Sequence, residues 1–464
     1  MSLDIEDFKK KFEPMIVQKM TNAKIPGSAY TVFQDETIIY SRGFGSRDLA
    51  NYLPYTPDTL NGFGSNSKSF TALAIMLLQE EGKLSIEDPI SKYIPVTLGK
   101  ENEPIKIKHL LSHSSGIPNL GNAEILITHL TPDLGPPLIP FSSWEDVWLH
   151  INGANAEIRF NPGEHFYYFN NGYVLLGEIV ARVSGMAYED FIKEKIIKKL
   201  GLERTGFLKS DFEHDGNISV PYTSDPKAEG PPMPKPGKFP FNKFIYAAGG
   251  LISSTNEMAK YIMMMMNKGK YKGNQLFSAN IIDEMTTGRI KTTLPDPLPI
   301  EYGYGWIKTE DFLGDTLISH GGGITGGYSQ MAYLQNAKIG ITSITNFPPG
   351  TMDDTLKAFC FLFGKDPDEV FPLNKRNKHL SKLAGEYASY KDIGKRKISN
   401  ENGTLYVSIG NSKEKFPLYP KSDNPEEINF YIQLPTAKMD VDFEIDEDKS
   451  IHFSMERNLF HKKS

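Results

Sequence analysis

The sequence predicts an α+β protein that is followed by a small all-β barrel at its C-terminal end. Apolar residues from Asp4 to about Met20 recur at helical intervals, and the stretch from Gly27 to Gly45 alternates as strands do. Beyond Phe363 the pattern changes to short strand-like runs at Leu405–Ile409, Asn429–Leu434, Met439–Ile445 and Ile451–Met455. Such close spacing is typical of antiparallel strands. We therefore assign residues 1–365 to a first domain and residues 375–464 to the barrel.

Composition narrows the class of protein. The chain has 464 residues, of which 39% are hydrophobic and 23% are charged, as is typical of a globular protein with a large core. Its 51 Lys and Arg residues against 57 Asp and Glu residues leave a formal net charge of −6. No cationic field would therefore attract a phosphate backbone, and we expect no nucleic-acid partner.

Cysteine content and terminal sequence favour the cytoplasm. The single cysteine, Cys360, lies in an apolar run, so we expect a buried core residue and no intrachain disulfide. No stretch approaches the roughly 20 apolar residues of a membrane span. The first residues are acidic, whereas a secretion signal is basic and then apolar. A cytoplasmic protein without a membrane span is the simplest interpretation.

One predicted helix is more regular than the others. From Ser65 the pattern is amphipathic, and it ends at Gly82, a residue type that often follows the last helical turn. The methionine run at 263–266 also has helical context and is predicted to pack in the core. Two segments rich in Pro and Gly, at 131–140 and 225–240, are predicted to be long loops, either as binding lips or as plain surface excursions.

Ser65 and Lys68 open that helix and form the first chemical motif. Residues three apart share one helix face, so the ammonium can bond to the serine hydroxyl. A helix N-terminus also supplies amide donors for a developing oxyanion. The same Ser-x-x-Lys pattern recurs at Ser224, in a Pro-rich loop, and at Ser412, in the barrel region, where the context does not suit catalysis. A surface pair without function is the alternative interpretation of Ser65 and Lys68.

Two further motifs add a phenol and a glycine-rich edge. Tyr168 and Asn170 form the only Tyr-x-Asn of the chain. A neighbouring ammonium favours the phenolate form of a tyrosine, which can accept the serine proton. The alternative is a tyrosine packed under a loop. His320 precedes a run of glycines beside which a substrate can lie, and it could donate to the substrate or to the phenol, while the Gly323 N–H could complete an oxyanion hole.

Together these motifs resemble the serine β-lactamase and penicillin-binding-protein-like superfamily, in particular its CubicO-type esterases and peptidases. The resemblance covers about residues 10–362. It extends to segments that follow in family order, namely Lys108–Pro118, Leu175–Gly177, Ala248–Leu251, Ser254–Met258 and Tyr302–Trp306. It implies an antiparallel sheet flanked by helices, a mostly helical insertion around residues 85–240, and a site between them.

The resemblance also implies the roles of individual residues. The implied catalytic residues are Ser65, Lys68, Tyr168 and His320. The implied substrate-binding and oxyanion residues are Asn170, Gly322 and Gly323. Ser65 is the implied nucleophile, Lys68 the cation that orients it, and Tyr168 the general base and later acid. The implied reaction is hydrolysis through an acyl-serine, without a metal or an organic cofactor.

The sequence departs from the β-lactamase pattern at the third motif, where His320 replaces a lysine. A fixed lysine anchors the carboxylate of β-lactams and of D-Ala-D-Ala ends, and a histidine is mostly neutral at pH 7. We therefore expect the substrates to be esters or small peptides and amides, including those of D-amino acids. The alternatives are a β-lactamase or D,D-carboxypeptidase, and a non-catalytic assembly or sensor protein that retains the fold.

The C-terminal barrel adds a second resemblance. A CubicO-type domain followed by a lipocalin-like barrel is similar to the archaeal self-compartmentalising serine peptidases of this group. In those proteins the barrel contributes to assembly and access. The similarity implies that this chain forms a homo-oligomer.

Two other motifs suggest a nucleotide site and a metal site, but the sequence around them argues against both. Residues 321–326 match the dinucleotide pattern G-x-G-x-x-G, but a strand pattern follows where that motif requires a helix. His109 and His113 are four residues apart, as two metal ligands on one helix face would be, but no third ligand is evident. We therefore predict a structural role for both histidines.

Overall fold

The computed structural model of the chain describes residues 3–100, 102–121, 123, 126, 141–224, 232–294, 298–401, 403–409, 414–422, 424 and 426–463. Contacts between Cα atoms divide the chain into two units, Met1–Leu362 and Phe363–Ser464. Three predicted features lie wholly or partly outside the described residues: the first Pro-rich loop, residues 225–231 of the second, and Ser412 of the Ser412 motif.

The first unit is built on an antiparallel sheet, as predicted. In the described part of the chain this sheet has nine strands, and the first strand, Gly27–Gln34, pairs with the last strand of the unit. The spatial order of the strands is Ile290–Lys291, Glu301–Tyr302, Ile307–Phe312, Asp315–Ile324, Gly327–Leu334, Ile339–Thr345, Gly27–Gln34, Thr37–Asp48 and Leu53–Pro54. Because Ser28 lies opposite Thr345, the sheet joins the two ends of the unit.

Helices and short strand pairs complete this unit. The helices are Ile5–Ala23, Ser67–Glu80, Ile107–Leu111, Trp144–Asn152, Asn170–Ser184, Tyr188–Ile192, Lys198–Leu200, Tyr246–Gly249, Thr255–Met266, Ala279–Thr286 and Met352–Leu362. The remaining strand pairs are Asn61–Gly64 with Leu251–Ser253, Gly99–Lys100 with Glu103–Pro104, Tyr222–Ser224 with Pro234–Pro236, and Lys270–Tyr271 with Asn274–Gln275. Met263–Met266 and Cys360 are buried in the core, as the sequence predicts.

The helix Ser67–Glu80 differs from its predicted character. The sequence suggested an amphipathic helix, but every residue from Ser67 to Leu78 is buried. Its hydroxyl side chains make this possible because they bond to main-chain carbonyls instead of water: Ser67 Oγ donates to Gly64 O at 2.7 Å and Ser69 Oγ to Asn66 O at 2.8 Å. The helix is therefore an internal element that holds its N-terminal turn in a fixed position.

The second unit is a closed antiparallel barrel that follows two short helices. The helices are Pro367–Val370 and Pro372–Ser381. The strands are Gly385–Ala388, Lys395–Glu401, Thr404–Ile409, Lys415–Pro420, Asn429–Gln433, Lys438–Ile445, Ile451–Met455 and Asn458–Lys462. Alternate residues such as Leu405, Val407, Val441 and Phe443 fill the interior. The predicted all-β barrel is thus confirmed.

None of the helices among the described residues has both the length and the apolar character that crossing a bilayer requires.

Candidate active site

Ser65 stands on the turn between the strand Asn61–Gly64 and the helix Ser67–Glu80. Its side chain is half-buried, whereas its neighbours in the turn are fully buried. Gly64 has φ of +53°, and a Cβ atom added there would lie only 2.5 Å from the Gly323 nitrogen. A side chain at position 64 would therefore be strained and would separate the serine turn from the glycine-rich strand.

Gly322 brings the same two segments together from the other side. A Cβ atom added to Gly322 would lie 1.9 Å from the carbonyl oxygen of Phe63, which no real structure tolerates. Asn66 Nδ2 donates to Ser329 Oγ at 2.7 Å, and Ser329 Oγ donates to the same Phe63 oxygen at 2.9 Å. Close backbone approach and this buried hydrogen-bond chain hold the serine turn against the edge of the main sheet.

Lys68 is fully buried one turn after Ser65. Its Nζ donates to Ser65 Oγ at 2.9 Å, to Asn170 Oδ1 at 2.6 Å and to the carbonyl oxygen of Ala248 at 2.7 Å. An ammonium has three N–H donors and no acceptor, so these three acceptors match its charged form. The Ala248 contact was not predicted, because a main-chain carbonyl occurs at every position and carries no sequence signal.

Tyr168 lies beside this ammonium. Its ring centroid is 4.8 Å from Lys68 Nζ, and its side chain is half-buried. Tyr168 belongs to the extended segment that leads into the helix Asn170–Ser184, so Asn170 is the first residue of that helix. One short segment therefore delivers both a phenol and an amide oxygen to the buried lysine.

His320 is buried in the strand Asp315–Ile324, and both its ring nitrogens have protein partners. Nδ1 lies 2.6 Å from the carbonyl oxygen of Gly321 and Nε2 lies 2.9 Å from the hydroxyl of Tyr302. Burial, together with the charge of Lys68, lowers the pKa of His320 from 6.5 to about 3. A neutral ring that donates through Nδ1 and accepts from Tyr302 satisfies both contacts. Its ring centroid is 6.5 Å from that of Tyr168.

Two aromatic residues near Tyr168 received no functional role from the sequence. His113 is buried and its ring centroid lies 4.2 Å from that of Tyr168. Tyr302, also buried, lies 4.8 Å from His113 by the same measure. Both belong to segments that carry the family resemblance, and that resemblance was the only signal that could have drawn attention to them. His109, by contrast, accepts the main-chain N–H of Lys106 at 3.1 Å, a purely local contact.

The geometry brings most of the sequence-predicted residues close together. Ser65, Lys68 and Asn170 are linked by hydrogen bonds, and Tyr168 borders them. The Gly322–Gly323 edge lies against the serine turn. Among the residues that the structure describes, no group of three or more His, Cys, Asp and Glu side chains is arranged to hold a metal ion. A serine hydroxyl bonded to an ammonium, with a tyrosine ring beside that ammonium, is an arrangement suited to acyl transfer through a serine.

Comparison with known proteins identifies both units. The β-lactamase family model matches residues 12–359, and the Pab87 octamerisation domain matches residues 367–461. The structure of the octameric penicillin-binding protein homologue from Pyrococcus abyssi is 34% identical, with a TM-score of 0.83, and the alignment covers 98% of this chain and 99% of that one.

Curated relatives are more distant. Penicillin-binding protein 4* from Bacillus subtilis (strain 168) is 26% identical over 437 residues, which is 90% of this chain and 89% of the relative. Protein flp from Staphylococcus aureus (strain MW2) is 26% identical over 351 residues, or 73% of this chain. The match spans only 63% of Protein flp, which is therefore a longer protein.

The family model spans well over half of the chain, and the archaeal homologue is similar over nearly all of it. The serine turn, the buried lysine and the antiparallel sheet agree with that match. This chain belongs to the β-lactamase family.

Proposed function

We propose that this protein hydrolyses esters or small peptides and amides, including those of D-amino acids, through an acyl intermediate on Ser65. The observation that carries the proposal is the bond from Lys68 Nζ to Ser65 Oγ at 2.9 Å. A charged lysine that donates to the nucleophile cannot also take its proton. Tyr168, next to the same ammonium, is the group suited to that task.

The proposed acylation step begins with transfer of the Ser65 hydroxyl proton to the Tyr168 phenolate. Ser65 Oγ then bonds to the substrate carbonyl carbon, and the carbonyl oxygen becomes an oxyanion between the N–H groups of Ser65 and Gly323. When the tetrahedral intermediate collapses, the bond to the leaving alcohol or amine breaks, and Tyr168 returns the proton to it.

Deacylation repeats the sequence with water as the nucleophile. Tyr168 takes a proton from the water, whose oxygen bonds to the acyl carbon. Collapse of the second tetrahedral intermediate breaks the bond to Ser65 Oγ, which receives the proton from Tyr168. Lys68 remains an ammonium throughout, and it stabilises negative charge on the serine oxygen and on the phenolate.

Because His320 is neutral, we expect the protein to prefer uncharged substrates over those with a carboxylate beside the scissile bond. Its pKa of about 3 leaves it uncharged at neutral pH, and its two nitrogens are held by Gly321 and Tyr302. A neutral, partnered ring gives a substrate carboxylate no ion pair. Esters and amides without that carboxylate do not need one.

A second candidate function is acylation by penicillins, as in a β-lactamase or D,D-carboxypeptidase. It is supported by the similarity to penicillin-binding protein 4* and to the archaeal penicillin-binding protein homologue. Nitrocefin turnover above that of the neutral esters, or a stable penicilloyl adduct on Ser65, would favour it.

The test is a substrate panel on wild type, Ser65→Ala and Ser224→Ala, with fluorophosphonate labelling followed by mass spectrometry. Ser224 is the matched control, because it belongs to a second Ser-x-x-Lys pattern but lies in the short strand Tyr222–Ser224. We expect loss of turnover and labelling only in Ser65→Ala. Equal turnover in that variant would refute the proposal, and wild type that neither turns over nor labels would support a non-catalytic assembly or sensor protein.

We also propose that copies of the chain assemble through the second unit. The match of residues 367–461 to the octamerisation domain supports this, as does the octameric homologue. On that unit the side chains of Tyr390 and Ile393 are apolar and are 76% and 83% exposed. Covering these two side chains with another copy would remove apolar surface from water.

A further inference from the structure

His113 holds the segment around Tyr168 at two points. Its carbonyl oxygen accepts the N–H of Tyr167 at 2.8 Å, and its side-chain Nδ1 accepts the N–H of Phe169 at 3.0 Å. These are the residues immediately before and after Tyr168. In an extended segment the N–H groups of residues two apart point to the same side, so one residue can bind both.

The ring of His113 also lies against the ring of Tyr168. Its centroid lies 4.2 Å from that of Tyr168, with an angle of 37° between the planes. The His113 ring centroid also lies 5.1 Å from that of Tyr173 and 4.8 Å from that of Tyr302. Tyr302 in turn bonds to His320. The imidazole therefore lies in an aromatic cluster with Tyr168, Tyr173 and Tyr302.

The position is costly for a histidine, which indicates that its side chain has a task. His113 follows the helix Ile107–Leu111 with φ of +55°, a conformation that favours Gly or Asn at the end of a helix. Its ring is buried, and Nε2 has no hydrogen-bond partner within the described part of the chain. Backbone strain and an unpaired polar atom are unfavourable unless the surrounding contacts compensate.

The charge state of the ring agrees with its acceptor role. Burial, with Lys68 and His320 nearby, holds the pKa of His113 well below its ordinary value. A neutral ring that accepts the Phe169 N–H at Nδ1 carries its proton on Nε2. No second cation then competes with Lys68 for the serine oxygen.

We infer that His113 is a positioning residue, which holds Tyr168 at the correct distance from Ser65 and Lys68 by binding the main chain on both sides of it. The inference rests on the proposed function, because it assumes that Tyr168 transfers the serine proton. General acid–base catalysis depends on such distances, and a displacement of about 1 Å can lower a rate by about 100-fold.

Two substitutions of His113 distinguish the effect of its hydrogen-bond acceptor from the effect of its ring. In His113→Asn the side-chain oxygen lies as many bonds from Cα as Nδ1 does, and Asn tolerates the positive φ. In His113→Phe the ring remains but the acceptor is lost. We expect kcat on a nitrophenyl ester to stay near wild type in H113N and to fall by about 10- to 100-fold in H113F, with KM nearly unchanged. His109→Phe is the matched control, because it removes an acceptor of a main-chain N–H in the helix that precedes His113 without touching Tyr168.

A double-mutant cycle with Tyr168→Phe distinguishes positioning from a general structural role. If His113 acts through Tyr168, H113F should lower kcat in wild type but not further in Y168F. An equal loss in both backgrounds would overturn the inference and leave the proposed function intact. Full activity of Y168F would instead refute the proposed function, and the inference with it.

A thermal melting curve for every variant checks that the variant folds. If H113F does not fold, His113→Gly replaces it, because Gly favours the same φ and also lacks the acceptor. H113G is then expected to lose kcat relative to H113N. Equal kcat in these two variants would overturn the inference.

Discussion

Lys68 Nζ donates a hydrogen bond of 2.9 Å to Ser65 Oγ across a single helical turn. The same nitrogen reaches Asn170 Oδ1 and the carbonyl oxygen of Ala248, so the ammonium is held from three directions in a fully buried position. A charged group in such a setting is fixed in place, and its field acts on the nucleophile with little screening by water.

Lys68→Met should remove most of the activity without unfolding the protein. The methionine nearly matches the lysine in volume, but it leaves Ser65 Oγ without its donor and Tyr168 without its neighbouring charge. We expect kcat/KM for a neutral ester to fall by about 10²- to 10⁴-fold. The exposed Lys10→Met is the control. Fluorophosphonate labelling of K68M at the wild-type rate would show that Ser65 does not need the ammonium.

Gly322→Ala should push the serine turn away from the sheet. The added methyl group would lie 1.9 Å from the carbonyl oxygen of Phe63, so one of the two segments must move. We expect a loss of about 1–3 kcal/mol in the free energy of unfolding, measured by urea titration, together with a lower kcat.

Gly153→Ala is the control for this substitution. A Cβ atom added at Gly153 meets nothing within 4 Å, and its φ is −69°. Its stability should stay the same or rise by up to about 1 kcal/mol. If G322A is as stable and as active as G153A, the close approach of the two segments is not required.

The free energy of unfolding should decrease as the pH falls below 6.5, the ordinary pKa of a histidine. The pKa of His320 drops from 6.5 to about 3 on folding, chiefly through burial. Between these values the unfolded chain binds a proton that the folded chain does not, so stability is present above pH ~6.5 and is lost towards pH ~3, at about 1.4 kcal/mol per pH unit.

His320→Gln should reduce this slope, because it removes the titrating group and keeps an acceptor for Tyr302. Urea unfolding between pH 7 and 4 can follow the first unit alone, since all three tryptophans, Trp144, Trp148 and Trp306, belong to it. The exposed His214→Gln supplies a matched control, whose slope should equal that of wild type. Identical slopes in wild type and H320Q would contradict the prediction.

Ile393→Asp should weaken the assembly of chains. The side chain is 83% exposed in the second unit, and a carboxylate there would be buried without a partner if another copy covers it. Light scattering after size exclusion should show a lower mass than wild type. Leu149→Asp, at a position 79% exposed in the first unit, should leave the mass unchanged. A wild-type mass for I393D would place the contact surface elsewhere.

Much of the barrel could be predicted from local patterns. The period-two alternation of residues 439–445 marks the strand Lys438–Ile445, because successive side chains of a strand point to opposite faces. The strand Lys415–Pro420 was not predicted, since Pro417 and Pro420 lie within it and proline argues against a strand. In the barrel this strand is held by pairing with the strands on both sides, and a local sequence pattern does not reveal such pairing.

In the candidate site, too, some contacts could be predicted from local sequence and others could not. Ser65 and Lys68 are three residues apart at the start of a helix, so their contact follows from the geometry of a single turn. Tyr168 was identified only through a resemblance of motifs, because nothing local brings a residue 100 positions away to the lysine. The roles of Ala248, as a carbonyl, and of His113, as a neighbour of Tyr168, had no signal of their own.

The primary structure was thus sufficient for the helix that begins beside Ser65, for the alternating strands and for the glycines that allow close approach, because each depends on neighbours within a few residues. The meeting of Lys68 with Asn170 and Ala248, the complete burial of the helix Ser67–Glu80 and the contact of His113 with Tyr168 depend on how distant segments pack. Such packing is a property of the whole folded unit, since each contact exists only when the others are formed.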